Sequence, residues 1–223
     1  MIYAIAIDGP AGAGKSTIAK ILAKELELIY VDTGALYRTI GYYVTSKGIS
    51  TADTEAVVAA LPSLTVELKY VDGVQRVFAN GEDVSDLIRT PAISMAASAV
   101  SAIPAVRAYL LNTQRDIAAK NSVVMDGRDI GTVILPDAEV KIFLTASPES
   151  RAKRRYDELQ AKGDPATYEE VLADMIKRDY DDSHRAAAPL KQAEDAVLVD
   201  TSGDTLEQSV ARIKAVVLEK LAQ

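Results

Sequence analysis

Gly9-x-x-x-x-Gly14-Lys15-Ser16, inside the stretch DGPAGAGKST, has the residue types and spacing to hold a polyphosphate. Its glycines let the backbone fold tightly enough for successive N–H groups to point into one concavity. A helix starting at Lys15 would add about half a positive charge at its N-terminus. Lys15 would reach the outer phosphates, and the Ser16 hydroxyl could ligate Mg²⁺. A glycine-rich turn with a chance lysine is the bland alternative, and the apolar run before the loop and the helical pattern after it argue against that. The loop Gly9, Pro10, Ala11, Gly12, Ala13, Gly14, Lys15, Ser16 and Thr17 therefore reads as a nucleoside triphosphate site.

A second carboxylate suits the same chemistry. In VVMDGRDIG, an apolar run ends in Asp126, where a strand-end carboxylate could orient Mg²⁺ or its water. A strand closing on a plain Asp-Gly turn has the same pattern. Triphosphate loops serve kinases, switches and motors alike, so the acceptor must be read from other residues. The guanine-reading N-K-x-D and the transporter signature LSGGQ are both missing, and the D-x-x-G at 200–203 comes too late for a switch loop.

What remains is a set of arginines near element ends: Arg38, Arg89, Arg107, Arg128, Arg151, Arg154, Arg155, Arg178 and Arg185. Singly, each fits a solvated surface cation. Arg38 and Arg128, however, follow strands whose ends should open on the face of the phosphate loop, where ligands collect in α/β sheets. A guanidinium fork grips phosphate bidentately. Arg178, Asp182 and Arg185 sit at i, i+4 and i+7, on one helix face, a spacing that equally fits a surface ion-pair ladder. Arg151 and Arg155 lie one turn apart near a helix start, opposing its dipole in a way a bound polyphosphate would reverse.

The elements that must position these groups are legible as alternating patterns. Short apolar runs at 2–7, 28–31, 123–125, 140–144 and 196–199 read as strands buried on both faces of a parallel sheet. Helical patterns fall at 15–26, 35–47, 104–120, 148–161, 167–182 and 206–221. Thr167 with Glu170 and Thr205 with Gln208 fit capping boxes, and Ser147-Pro148 places a cap before a first-turn proline. The expectation is a doubly wound α/β fold with a five-stranded parallel sheet. The stretch 64–86 instead alternates with period two and carries Asp72-Gly73 and Asn80-Gly81 turn signals, predicting a small antiparallel insert.

Composition narrows the classes further. The chain has 223 residues and a net charge of −7, which disfavours a nucleic-acid polymer or an anionic membrane as partner. It has no cysteine and a single histidine, His184, which excludes thiol chemistry, disulfides and His-rich metal sites. His184 reads as a solvated helix residue. No apolar stretch approaches the ~20 residues needed to span a bilayer, and the N-terminus lacks signal-peptide features, so the expected location is the cytoplasm.

Taken together, IDGPAGAGKST, DTGALYR, DLIRTPAIS, IPAVR, VMDGRDIGTVILPDA, KIFLTAS and RDYDDSHRAAAPL resemble the bacterial-type cytidylate kinases, over the whole chain. The phosphate loop alone is unspecific; DGRDIGTVILPDA combined with RDYDDSHRAAAPL is highly specific. Many members carry serine at the position of Ala11, where backbone groups do the work. The resemblance implies a three-layer P-loop kinase fold in one domain, 1–223, with the β insert at about 62–100 in the acceptor region and a short helical lid at about 151–168. It implies ATP and Mg²⁺, with CMP or dCMP as acceptor, and a monomer. Ser98, Arg107 and Asp129 would read the cytosine edge, and Arg178 and Asp182 would hold the sugar. Arg38, Arg128 and Arg185 would clamp the acceptor phosphate, with Thr33 of DTGALYR beside them, and Arg151, Arg154 and Arg155 would close over the donor phosphates. The competing readings are a kinase for UMP or AMP, and a non-catalytic ATP-binding protein.

Overall fold

The computed structural model describes residues 2–71 and 74–222; the expected Asp72-Gly73 turn lies outside the described residues. The strands in chain order are β1 (Ala4–Asp8), β2 (Ile29–Asp32), β3 (Val66–Val71), β4 (Val74–Ala79), β5 (Glu82–Asp83), β6 (Val123–Gly127), β7 (Val140–Thr145) and β8 (Val197–Asp200). The helices are α1 (Lys15–Glu25), α2 (Thr33–Ser46), α3 (Thr54–Ala60), α4 (Pro91–Ser101), α5 (Pro104–Lys120), α6 (Pro148–Gln160), α7 (Tyr168–His184) and α8 (Leu206–Leu221). The five strands read as continuously apolar form a parallel sheet of order β2-β6-β1-β7-β8. The expected meander is an antiparallel sheet of order β3-β4-β5, and Asn80 and Gly81 make its second turn with φ of 51° and 82°.

Two compact units are distinguishable: 1–30 with 121–223, and 31–120. In the first, β1, β7 and β8 pack through Ile5, Ile7, Ile142, Leu144 and Val199 against Ile18 and Leu22 of α1 and Ile213 and Val217 of α8. The expected caps are present. Both capping boxes form, at Thr167 with Glu170 and at Thr205 with Gln208, and the Ser147 side chain accepts from the Ser150 N–H ahead of Pro148.

The second unit gathers Leu36, Ile40 and Val44 of α2, Val66 and Val77 of the small sheet, Val100, Val106 and Leu110 around one core. The insert expected at 62–100 lies inside this unit together with α2, α3 and α5. Two of its helices, α3 and α4, fall outside the helical patterns legible in the sequence. Helix α4 is built mostly of small residues and carries no charged side chain, so little in its sequence marks a 3.6-residue period. Its approach to α2 is close: a Cβ on Gly41 would lie 2.9 Å from the Ala97 backbone nitrogen.

The strand ends also run further than the apolar pattern. β1, β2, β6 and β8 each include a terminal or near-terminal aspartate: Asp8, Asp32, Asp126 and Asp200. In register, Ile7 pairs with Asp126 and Asp8 with Gly127, so β1 and β6 deliver their polar ends to the same sheet edge.

Gly9 turns the chain out of β1. Its φ is +148°, and a Cβ there would lie 1.9 Å from the Leu144 carbonyl oxygen, a backbone atom that cannot move aside. Gly9→Ala combines backbone strain with overpacking, together about 3–5 kcal/mol. The thermal midpoint is expected to drop by roughly 6–20 °C. A melt of the variant within ~2 °C of the parent would show that the loop has room the structure does not show.

Candidate active site

The phosphate loop is a bare backbone cradle. Gly12 and Gly14 take left-handed φ of 72° and 86°, Gly14 is the N-cap of α1 without a side-chain bond, and the first turn of α1 holds no acidic residue. Lys15 is buried, and its ammonium donates to the Pro10 carbonyl at 2.7 Å. Burial, and then the charge of Arg128, hold its pKa well below the usual lysine range. A cation kept dry beside another cation is a site that an incoming polyphosphate stabilises. Next to it, the Ser16 hydroxyl donates to Asp126 Oδ2 at 2.7 Å, while the Tyr30 hydroxyl donates to Oδ1 at 2.8 Å.

This hydroxyl–carboxylate pair has the hard oxygen chemistry that suits Mg²⁺, which binds through one or two protein groups plus substrate phosphates. Among the described residues no three acidic or histidine side chains form a cage. The residues present fit the ion as a shared ligand of loop and nucleotide.

Beyond Asp126 the chain enters a cluster of opposite charges. Arg128 Nε donates to Asp182 Oδ2 at 2.8 Å, and Arg185 lies 3.8 Å from both Asp182 Oδ1 and Asp129 Oδ1. Burial alone would raise the Asp182 carboxyl, but Arg128, with Arg178 and Arg185, holds it below the usual range. Arg185 is the cap of α7 and not a residue of its face, which corrects the i+7 reading: its backbone has turned extended, at φ −63° and ψ 143°. The charges nevertheless converge. The structure brings Lys15, Ser16, Asp126, Arg128, Asp129, Asp182 and Arg185 together in one unit, with Arg178 close enough to act on Asp182.

The unit 31–120 carries the remaining acceptor candidates. Asp32 caps α2 by accepting from the Ala35 N–H at 2.9 Å, and its other oxygen accepts from Arg38 Nη2 at 2.8 Å. Arg38 Nε is buried and has no hydrogen-bond partner among the described residues. Thr33 is the buried first residue of α2. Arg107 is buried, lies over the Tyr37 ring at 5.4 Å from its centroid, and donates to the Ser101 carbonyl. Ser98 is half-buried on α4.

The three candidate lid arginines have different surroundings. Arg151 is buried: it donates to the carbonyls of Ala11 and Ala146 and pairs with Asp179, which ties α6 and α7 to the phosphate loop. Arg154 donates to the Thr201 carbonyl, and Arg155 pairs with Glu158 at the surface. A pocket of about 430 Å³ lies beside Arg151, lined also by Pro10, Thr145, Ser147, Asp179 and Asp200 among others. The D-x-x-G at 200–203 is a turn, in which the Ser202 N–H donates to Asp200 Oδ1 and Gly203 has φ of 81°. His184 is exposed and stacks on Tyr180 with ring centroids 4.0 Å apart.

Sequence reasoning did not single out Tyr30, Asp32 or Asp179, which hold Asp126, Arg38 and Arg151, nor Asp8, which holds the turn that follows Asp129. Asp8 and Asp32 did leave a signal, an aspartate at the end of an apolar run directly before Gly9 and Thr33. Tyr30 and Asp179 left none.

The chain matches the cytidylate kinase family model over residues 5–219. It is 50% identical over 216 residues to the cytidylate kinase of Carboxydothermus hydrogenoformans, covering 97% of both chains. To the cytidylate kinase of Lactobacillus gasseri it is 48% identical over 216 residues, covering 97% of this chain and 94% of that one. Among solved structures, an uncharacterized protein of Eubacterium ventriosum shares the fold at 15% identity with a TM-score of 0.54, covering 98% of this chain and 99% of that one.

Proposed function

Because the chain belongs to the cytidylate kinase family, we propose that it transfers the γ-phosphoryl group of ATP to CMP or dCMP, giving ADP and CDP or dCDP. One observation carries this most directly. A glycine loop with a buried lysine and a Ser16–Asp126 pair shares a unit with the Arg128, Asp129, Asp182 and Arg185 cluster, at the ends of two adjacent strands. The first set suits a donor triphosphate, the second an acceptor that is itself an anion. A non-catalytic ATP-binding protein has no use for the second.

The chemistry asks little of a base. The acceptor phosphate is already ionised at neutral pH, and charge in the loose transition state spreads over the equatorial oxygens of the transferring group. Catalysis is then positioning and charge stabilisation. Lys15 and the N–H groups of residues 9–17, Pro10 excepted because it has none, hold the donor phosphates; Ser16 and Asp126 would hold Mg²⁺, which would supply neutralisation of phosphate charge. Arg38, Arg128 and Arg185 hold the acceptor phosphate in line, with Thr33 at the start of α2 beside Arg38. Ser98, Arg107 and Asp129 bind the base, and Arg178 and Asp182 the sugar. Arg151, Arg154 and Arg155, in the segment 151–168, close over the donor and exclude water, without which ATP would be hydrolysed idly.

All these groups lie in one chain, and the expected form is a cytoplasmic monomer of one domain, 1–223, with 62–100 as its acceptor region. Among the described residues no single helix is long and apolar enough to cross a membrane.

ADP release measured side by side with CMP, dCMP, UMP, AMP and GMP tests the reading. CMP and dCMP are expected to support turnover and AMP and GMP to fail. Turnover with UMP equal to that with CMP would replace the cytosine reading by a general pyrimidine one, and turnover with none would end the assignment.

A further inference from the structure

Asp129 begins a turn in a way that poses a capping problem. The residues Ile130–Ile134 form one π-helical turn closed by the Asp129 carbonyl, which accepts from the Val133 and Ile134 N–H groups. The first N–H groups of such a turn have no partner within it. An aspartate at the N-cap ordinarily supplies one, by folding its carboxylate back onto the N–H two or three residues on. Asp129 makes no such bond.

The acceptor comes from a neighbouring strand. Asp8, at the end of β1, takes the Ile130 N–H on Oδ1 at 2.8 Å and the Gly131 N–H on Oδ2 at 2.7 Å. Both bonds are buried, and the carboxylate is only 5% exposed. The far end of the segment is tied down as well, since Lys141 of β7 donates to the Pro136 carbonyl and to Asp195. Gly131 lets this happen: its α-carbon sits so close that a Cβ would lie 3.1 Å from the Lys141 side chain and 3.5 Å from Asp8 Oδ2.

We propose that Asp8 is a positioning residue for base recognition, capping the 130–134 turn from β1 so that the Asp129 carboxylate is kept out of the cap and beside Arg185. Burial pushes the Asp8 carboxyl up to about 6, against the pull of its two backbone bonds, so the ionised group is retained at neutral pH at a cost to stability. A neutral acceptor would cap one N–H more cheaply. The Asp8 carboxylate takes the two N–H groups on separate oxygens, so the Gly131 N–H that Asp129 would otherwise cap is already satisfied. Without Asp8, the Asp129 side chain is the nearest alternative cap, and closing onto its own turn would withdraw it from the base.

This inference rests on the reading of Asp129 as a base contact, so the experiment separates the two. Values of kcat and KM are measured for CMP, UMP and ATP in the parent, Asp129→Ala and Asp8→Asn, with circular dichroism to confirm folding. In Asp8→Asn one N–H faces the new amide donor. Its KM for CMP and the CMP/UMP ratio of kcat/KM are expected to worsen by roughly 10–100-fold, while the KM for ATP stays within about twofold. If Asp8→Asn does not fold, Asp8→Ala, which removes both acceptor oxygens and places no new donor against the turn, makes the same comparison. A ratio that collapses in Asp129→Ala but holds in the folded Asp8 variant overturns the positioning role alone. A loss confined to ATP would mean that Asp8 serves the phosphate loop, and also overturns it. A ratio untouched in Asp129→Ala removes the premise.

Discussion

Lys15→Met is expected to lower kcat by roughly 10²–10³-fold, the size of effect seen when one preorganised stabiliser of transition-state charge is removed. Methionine has nearly the length of lysine and fills the same buried space, so the fold is expected to persist. The ammonium donates to the Pro10 carbonyl, and burial together with Arg128 makes its charge costly. Such a site is arranged for an anion that arrives with the substrate and carries its largest charge on the outer phosphate as transfer proceeds. The KM for ATP is expected to rise less than kcat falls, because loop N–H groups still bind the ground state. The check is steady-state turnover beside a thermal melt. A folded variant with near-parental kcat would remove Lys15 from the chemistry, and with it the reading of the loop as a donor site.

Asp129→Ala is expected to cut the preference for CMP over UMP by ~10² or more, almost entirely by losing CMP. Cytosine presents an exocyclic amino donor where uracil presents a carbonyl. A carboxylate accepts from the amine but meets the uracil oxygen with like charge and no proton. A site built around one such donor can reject the analogue by as much as ~10⁴–10⁵, because its buried polar groups are then left unpaired. Asp129 has the burial this requires, at 3% exposed, and Arg185 lies 3.8 Å from its Oδ1. The measurement is kcat/KM for both acceptors in both proteins. An unchanged ratio would make Asp129 a structural residue and move base recognition elsewhere.

What the sequence by itself determined was whatever is written locally. The phosphate loop, the five apolar strands, the meander and the three helix caps at Ser147, Thr167 and Thr205 all depend on residues within a few positions of one another, and all appear where the pattern put them. The family followed from motifs of the same kind. Helix α4 escaped because it carries no charged side chain to set off its period, and its close approach to α2 at Gly41 is a tertiary feature. The rest was decided by tertiary structure. Placing β1 between β6 and β7 sets Asp8 under a turn more than 120 residues away and Asp126 against Ser16, and packing α6 on α7 sets Asp179 on Arg151. Equal-looking arginines were thereby sorted: Arg151 into a buried tie to the phosphate loop, Arg155 into a solvated pair, and Arg128 into the charge cluster with Asp182. The physical reason is that a charge acquires its role from burial and from partners. Both are properties of neighbours that the fold supplies, and spacing along the chain does not encode them.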